Sequence, residues 1–205
     1  MEWQTVELRW FQSGRCPREI AAWFHRGPWV GEPERRTDEY LVLPGRDDLG
    51  VKRRAGNQLD LKLRTGTFPG ITLGAGWDGQ VEAWTKWSFP LGAATNGPGE
   101  GSWVPVEKLR WSRIYALTSD RTASSVAPGT LPSPGCAVEL VEVAISSRRS
   151  WGFGFEAFGD GDLGEVLTAT CRAVEADTPL GQLSFVARDS HSYPSWLLVE
   201  GAAAD

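Results

Sequence analysis

The sequence predicts a mainly β fold, a closed or nearly closed eight-stranded antiparallel barrel with two or three outer helices, in one domain over residues 1–205. Three observations lead there. Segments in which apolar and polar residues alternate strictly recur along the chain, and period two is the spacing of a half-buried strand. Turn-forming Gly, Pro, Asn and Ser separate these segments at short intervals. Runs with helical spacing are few and short, so strands carry most of the fold.

Residues 3–11 open the pattern, with Val6, Leu8 and Trp10 on one face and Thr5, Glu7, Arg9 and Phe11 on the other. Gly14 ends that strand. Pro17 then stands where a first helical residue is tolerated, and Glu19, Ile20, Trp23 and Phe24 follow at helical spacing up to Gly27-Pro28. Residues 35–43 form the next strand, closed by Pro44-Gly45. Residues 49–64 read as a β-hairpin. Lys52 and Arg54 share a face in its first half, and Leu59, Leu61 and Leu63 oppose Asp60, Lys62 and Arg64 in its second, with Ala55-Gly56-Asn57 as the turn.

Residues 66–79 are glycine-rich and are expected to be irregular. Residues 80–89 alternate again, with Glu82, Trp84 and Lys86 facing away from Val81, Ala83, Thr85 and Trp87. Residues 90–102 are a loop by composition, and 103–117 a long strand on which Lys108 and Arg110 share a face. The Ser-, Thr-, Pro- and Gly-rich stretch 118–135 reads as a flexible internal loop within the domain. Residues 137–145 and 151–158 make a last strand pair across a polar turn. Asp162 and Glu165 then suit a helix N-cap and its return contact. The apolar face of that helix is Leu163, Val166, Leu167, Thr170 and Val174, joined by Cys171 as a small core residue. Residues 191–197 start a final short helix, and 202–205 should fray.

Composition narrows the function. The 21 basic and 26 acidic residues leave a net charge of −5, which argues against general nucleic-acid binding. Cys16, Cys136 and Cys171 fit neither a zinc spacing nor a disulfide framework, so a reducing compartment is expected. Two histidines disfavour a histidine-built metal site. Neither a secretory leader nor a membrane-length apolar run is present, and the expectation is a soluble, cytoplasmic protein that does not bind membranes. Most of the eleven tryptophans are expected in the packed wall.

Against this acidic balance, the local clustering of cations is informative. Like charges side by side on a sheet face are unfavourable, so Lys52, Arg54 and Lys62 call for nearby carboxylates or a bound anion. The bland reading is a solvated basic face.

Taken in order, the motifs resemble those of the CYTH superfamily, the triphosphate tunnel metalloenzymes, along nearly the whole chain. Thr5-Val6-Glu7-Leu8-Arg9 resembles the family's opening Glu-x-Glu-x-Lys, with one carboxylate missing and Arg in place of Lys. Asp38-Glu39-Tyr40-Leu41 is similar to the next strand, with Val42 at its later acidic position. Lys52, Arg54 and Lys62 fall where phosphate-contacting cations are expected, and Lys108 with Arg110 resembles a later basic pair. Glu142, Trp151-Gly152 and Glu156-Ala157-Phe158 follow the family's closing order, with Phe158 replacing its last carboxylate, and Ser192-Tyr193 resembles the family's closing Ser-Tyr.

The resemblance implies phosphate binding by Arg9, Lys52, Arg54, Lys62, Lys86, Lys108 and Arg110. It implies catalytic roles for Glu7 and Glu156, and Mg²⁺ or Mn²⁺ held by Glu7, Glu142 and Glu156, with Glu82 and Glu139 as further inward options. Arginine forks onto phosphate oxygens and lysine acts as a point charge, while hard divalent ions want carboxylate oxygens. Two-metal hydrolysis needs more carboxylates than this chain retains. The expected function is therefore binding of a triphosphate, polyphosphate or other anionic phosphorylated small molecule in a basic barrel interior, with weak or no catalysis. The alternative is a divergent metal-dependent triphosphate hydrolase. Internal ion pairing without any ligand stays open for each charged residue. A lipocalin-like apolar carrier is disfavoured by the charged inner faces. No P-loop is present, and Asp189, Ser190 and His191 are consecutive, which ill suits a catalytic triad.

Overall fold

The computed structural model describes residues 2–27, 29–54, 58–73, 76–91, 103–178 and 184–202. The strands are β1 (Glu2–Ser13), β2 (Glu34–Leu41), β3 (Leu49–Arg54), β4 (Gln58–Leu73), β5 (Trp77–Pro90), β6 (Trp103–Leu117), β7 (Ala123–Val126), β8 (Gly135–Ile145) and β9 (Arg148–Phe158). The helices are α1 (Arg18–Arg26), α2 (Leu163–Asp177) and α3 (Tyr193–Ala202), with a 3-10 turn at Ala187–Asp189.

The strands run in the order β2-β3-β4-β5-β1-β9-β8-β6, and β6 pairs back onto β2, which closes an eight-stranded antiparallel barrel. One edge of β6 pairs with β8; the other is shared in succession by β2 and by β7, from Ile114↔Val126 to Leu117↔Ala123. Closure gives each of the eight strands a neighbour on both sides and sends alternate side chains inward. The ninth strand, β7, arises within residues 118–135, the stretch whose composition suggested a flexible loop. The hairpin turn 55–57, most of the loop 90–102 and the end of the tail fall outside the described residues. Among the described residues no helix is long and apolar enough to cross a membrane.

The glycine-rich stretch 66–79 is not irregular over its described part. It continues β4 and begins β5, pairing Phe68 with Val81, Ile71 with Gly79 and Leu73 with Trp77 across two register shifts. Glycine serves bulges and close approach here. A Cβ on Gly79 would lie 2.7 Å from Leu8 and 2.8 Å from the Trp10 ring. Trp10 packs across that gap, and its Nε1 donates to the Asp78 carbonyl at 2.8 Å.

The largest apolar cluster lies outside the barrel wall. Val6, Leu8 and Trp10 from β1, Val138 and Leu140 from β8, and Phe153 and Phe155 from β9 pack against Trp23 and Phe24 of α1 and Val166, Leu167 and Cys171 of α2. The predicted N-cap holds, since Asp162 accepts from the Glu165 backbone N–H at 3.0 Å. The Glu165 side chain does not turn back to the cap; it pairs with Arg121. Trp10, Trp23, Trp77, Trp84, Trp151 and Trp196 are buried, as wall packing requires.

A second cluster fills one end of the barrel. The inner-face residues Phe11, Tyr40, Val106, Val141 and Val143 meet Trp196 and Leu197 of α3. The Phe11 and Trp196 rings stack with centroids 4.6 Å apart. Two helices therefore pack outside, and the third closes an end, because the inner face turns apolar there.

Candidate functional site

Alternation delivers the charged inner faces of the strands to a shared interior of about 280 Å³. Strand β1 supplies Glu7 and Arg9, β2 supplies Arg36 and Tyr40, and β3 supplies Lys52 and Arg54. Asp60 and Lys62 come from β4, Lys86 from β5, and Lys108 and Arg110 from β6. Glu139 of β8, Glu156 of β9 and Tyr193 of α3 complete the lining. All seven cations singled out in the sequence thus meet in one cavity, together with Glu7 and Glu156.

Glu142 does not join them. It has the parity of Leu140, which packs in the outer core, and it lines a separate recess with Gly14, Arg15 and Arg149. Glu139, of opposite parity, is the inward carboxylate of β8. Both faces of β8 are apolar along much of their length, one toward the helices and one toward the closed end, so local patterning could not assign its faces.

Two aspartates outside the expected site set organise the cations. Asp38 is fully buried and lies 3.1 Å from Lys108 Nζ, 3.5 Å from Lys52 Nζ and 3.3 Å from Arg36 Nε. Asp60 lies 3.5 Å from Arg54, 3.5 Å from Lys86 and 3.7 Å from Lys52. It also accepts from Gln58 at 2.5 Å and Ser88 at 2.6 Å. Burial would raise the pKa of Asp38, but Lys52, Lys108 and Arg36 outweigh it and hold it well below the usual carboxylate range. The cations bear the reverse stress. Burial, with added repulsion from Arg54 and Arg36, lowers Lys52 to about 8 despite Asp38. Burial and repulsion from Lys52 push Lys108 well below the ordinary lysine range.

Sequence spacing placed Asp60 on the charged face; its role as a hub for three cations depends on β3 and β5 lying beside β4. On the far side of the interior, Glu139 is bound by Arg9 at 3.0 Å and Arg110 at 2.5 Å. Burial works against its charge, but the two arginines prevail and lower its pKa. Tyr193 packs over this region, with Lys108 Nζ 3.8 Å and Arg9 Cζ 5.1 Å from its ring centroid.

The cavity wall carries eight basic side chains and four carboxylates. Asp38, buried beside Lys52 and Lys108, and Glu34, paired with Arg36 and Arg110, lessen that excess without cancelling it. Arg9 Nη1 is buried without a hydrogen-bond partner among the described residues. The fold is a closed, positively biased tunnel.

No family model matches the chain, and no curated protein matches its sequence. Solved structures that align with it include the following. A putative adenylyl cyclase from Hippeastrum, HpAC1, described as having a dominant triphosphatase activity, aligns at TM-score 0.45 and 9% identity over 97% of this chain and 96% of its own. The Pct1 RNA triphosphatase of S. pombe aligns at 0.43 and 8% identity over 85% of this chain and 83% of its own. The same enzyme in complex with the Spt5 CTD aligns at 0.41 and 10% identity, over 87% of this chain and 76% of its own. At such identities the tunnel's own residues, rather than its neighbours' activities, say what this chain can bind.

The expected metal ligands do not fit a divalent ion as they stand in the tunnel. Among the described residues no three carboxylate, His or Cys side chains converge as ligands. Glu7 and Glu156 are cross-strand partners, but Lys62 Nζ is bonded to Glu7 and stands 3.9 Å from Glu156. Glu82, register partner of Glu7 on β5, is taken by Arg64 at 2.7 Å, and Glu142 is outside. Burial raises the Glu156 pKa, with Glu7 and Glu139 adding to it and Lys62 only partly countering.

No Ser-His-Asp triad forms from residues 189–191. The Ser190 hydroxyl accepts from the Gln80 backbone at 3.0 Å, His191 Nδ1 lies 3.0 Å from Ser195 Oγ, and Asp189 faces Arg188.

Proposed function

We propose that the tunnel binds a compact polyanion, a triphosphate or polyphosphate chain or a related phosphorylated small molecule, with weak or no catalysis. The observation that carries this reading is the excess of eight basic side chains over four carboxylates around a space of about 280 Å³, an excess that Asp38 and Glu34 reduce but do not cancel. The carboxylates present leave part of that positive charge unneutralised. At an effective dielectric near 20, two like charges ~4 Å apart repel by about 4 kcal/mol. A phosphate chain brings several negative charges into that field and gives the free Arg9 Nη1 an oxygen acceptor. The α3 helix begins at Tyr193 on the cavity wall, so its positive end favours the same ligand. Three free cysteines fit a cytoplasmic setting.

Differential scanning fluorimetry with orthophosphate, pyrophosphate, tripolyphosphate and nucleoside triphosphates tests this. Stabilisation should grow with ligand charge and shrink in Arg54→Ala and Lys86→Ala. A melting temperature indifferent to the whole panel would overturn the reading.

The Glu7–Glu156 pair favours a second reading, a divergent Mg²⁺- or Mn²⁺-dependent triphosphate hydrolase. That reading requires Lys62 to leave Glu7. Phosphate release from tripolyphosphate with Mn²⁺, abolished in Glu7→Gln, would favour it over binding alone.

A further inference from the structure

We infer that the tunnel neutralises its ligand with side-chain cations alone and takes the metal-free polyphosphate rather than its magnesium complex, with Lys62 standing where a divalent ion would sit. This rests on the phosphate-binding reading and concerns the same cavity. The register of β5, β1 and β9 sets Glu82, Glu7 and Glu156 side by side. Such a row is what a hard cation needs, since Mg²⁺ and Mn²⁺ are held by carboxylate, phosphate and water oxygens.

In this chain the row is already answered by fixed cations. Arg64 and the Trp84 indole N–H bind Glu82, at 2.7 and 3.2 Å. Lys62 projects from β4, two strands away from β1, past the Trp84 ring to bond Glu7 and approach Glu156. Beyond this row, Glu139 is held by Arg9 and Arg110, and Asp38 and Asp60 by the lysines around them. A divalent ion entering between Glu7 and Glu156 must displace an ammonium that both carboxylates attract. Magnesium also dehydrates reluctantly and keeps several waters, which a narrow tunnel does not favour. A polyphosphate chain already complexed to Mg²⁺ has lost two negative charges, so it gains less from the cation excess. The bare polyanion gains the most.

Isothermal titration of chelator-treated protein with sodium tripolyphosphate tests this, first in EDTA and then in millimolar MgCl₂. Binding should occur in EDTA, and its apparent affinity should fall by about threefold or more in Mg²⁺ as free ligand is withdrawn. Binding only in Mg²⁺ would overturn the inference and leave the phosphate reading standing. Binding in neither condition would overturn both. Electron paramagnetic resonance of Mn²⁺ supplies an independent reading. The wild-type protein should leave the ion free, and Lys62→Gln, which releases Glu7 beside Glu156, should bind about one equivalent. Wild-type uptake of Mn²⁺ at sub-millimolar concentration, or a folded Lys62→Gln variant that takes up none, would count against Lys62 as the built-in cation. Should that variant not fold, the wild-type titrations decide alone.

Discussion

Lys108 Nζ lies 3.1 Å from Asp38 Oδ2, with the two side chains only 2% and 0% exposed. The same carboxylate serves Lys52 and Arg36, so one negative charge holds three positive ones at the heart of the tunnel. Removing one partner of a buried pair leaves an uncompensated charge, at a typical cost of about 3–5 kcal/mol. Asp38→Asn should lose stability of that order in urea denaturation, and tripolyphosphate should restore part of it. A loss under about 1 kcal/mol would mean that Asp38 is not the hub described.

Lys52, lowered to about 8 by burial, and Lys108, which burial holds well below the ordinary lysine range, shape the pH response. Between their folded values and the ordinary lysine value of about 10.4, the unfolded chain binds more protons than the folded one. The Lys52 penalty on the fold is full below pH ~8 and relaxes as pH rises toward 10.4, and the Lys108 penalty relaxes in the same direction. A polyanion favours the charged lysines, so its binding should take up protons near pH 8–9 and weaken above it. Calorimetry in buffers of different ionisation enthalpy reads the uptake directly; a proton count of zero at pH 8.5 contradicts it.

Asp38 works in the opposite direction at low pH. Its folded pKa is depressed, so its contribution is present above the unfolded carboxylate value and is lost as pH falls through the folded one. Acid titration of the melting temperature should show a decline beginning below pH ~4 in the wild type and a shallower one in Asp38→Asn.

Glu139 and Glu142 test the facing of β8. Glu139→Gln removes the partner of buried Arg9 and of Arg110, and should destabilise the fold by roughly 3 kcal/mol. Glu142→Gln, on the outer face, should change stability by less than about 0.5 kcal/mol and leave tripolyphosphate binding alone. Equal effects of the two substitutions would contradict the assigned register.

Gly79 tests the seam between β1 and β5. Its missing side chain makes room for Leu8 and Trp10, and an added methyl would force a shift. Gly79→Ala should cost about 1–3 kcal/mol, the usual range for overpacking. Near-UV circular dichroism should report a moved Trp10, while the tunnel's affinity for tripolyphosphate stays close to wild type.

Much of the fold was legible because strand periodicity is local. Val6, Leu8 and Trp10 against Glu7, Arg9 and Phe11 already divide β1 into its outer and inner faces, and Lys52, Arg54, Lys62, Lys108 and Arg110 mark inner faces by charge. The glycine-rich stretch misled because glycine reads as a breaker. In β4 and β5 it accommodates register shifts and a tryptophan packed across the sheet. β8 misled because a strand that is apolar on both faces has no local marker of which side is inside.

The sequence by itself determined the eight barrel strands, the cations that share faces on them and the two helices that cover the outside. The tertiary structure alone decided that β2 closes onto β6, that α3 seals one end, and that Asp38, Asp60 and Lys62 take their particular partners. Alternation is set by neighbours one and two residues away. Ion pairing inside a barrel is set by strands that meet only on closure, far apart in sequence.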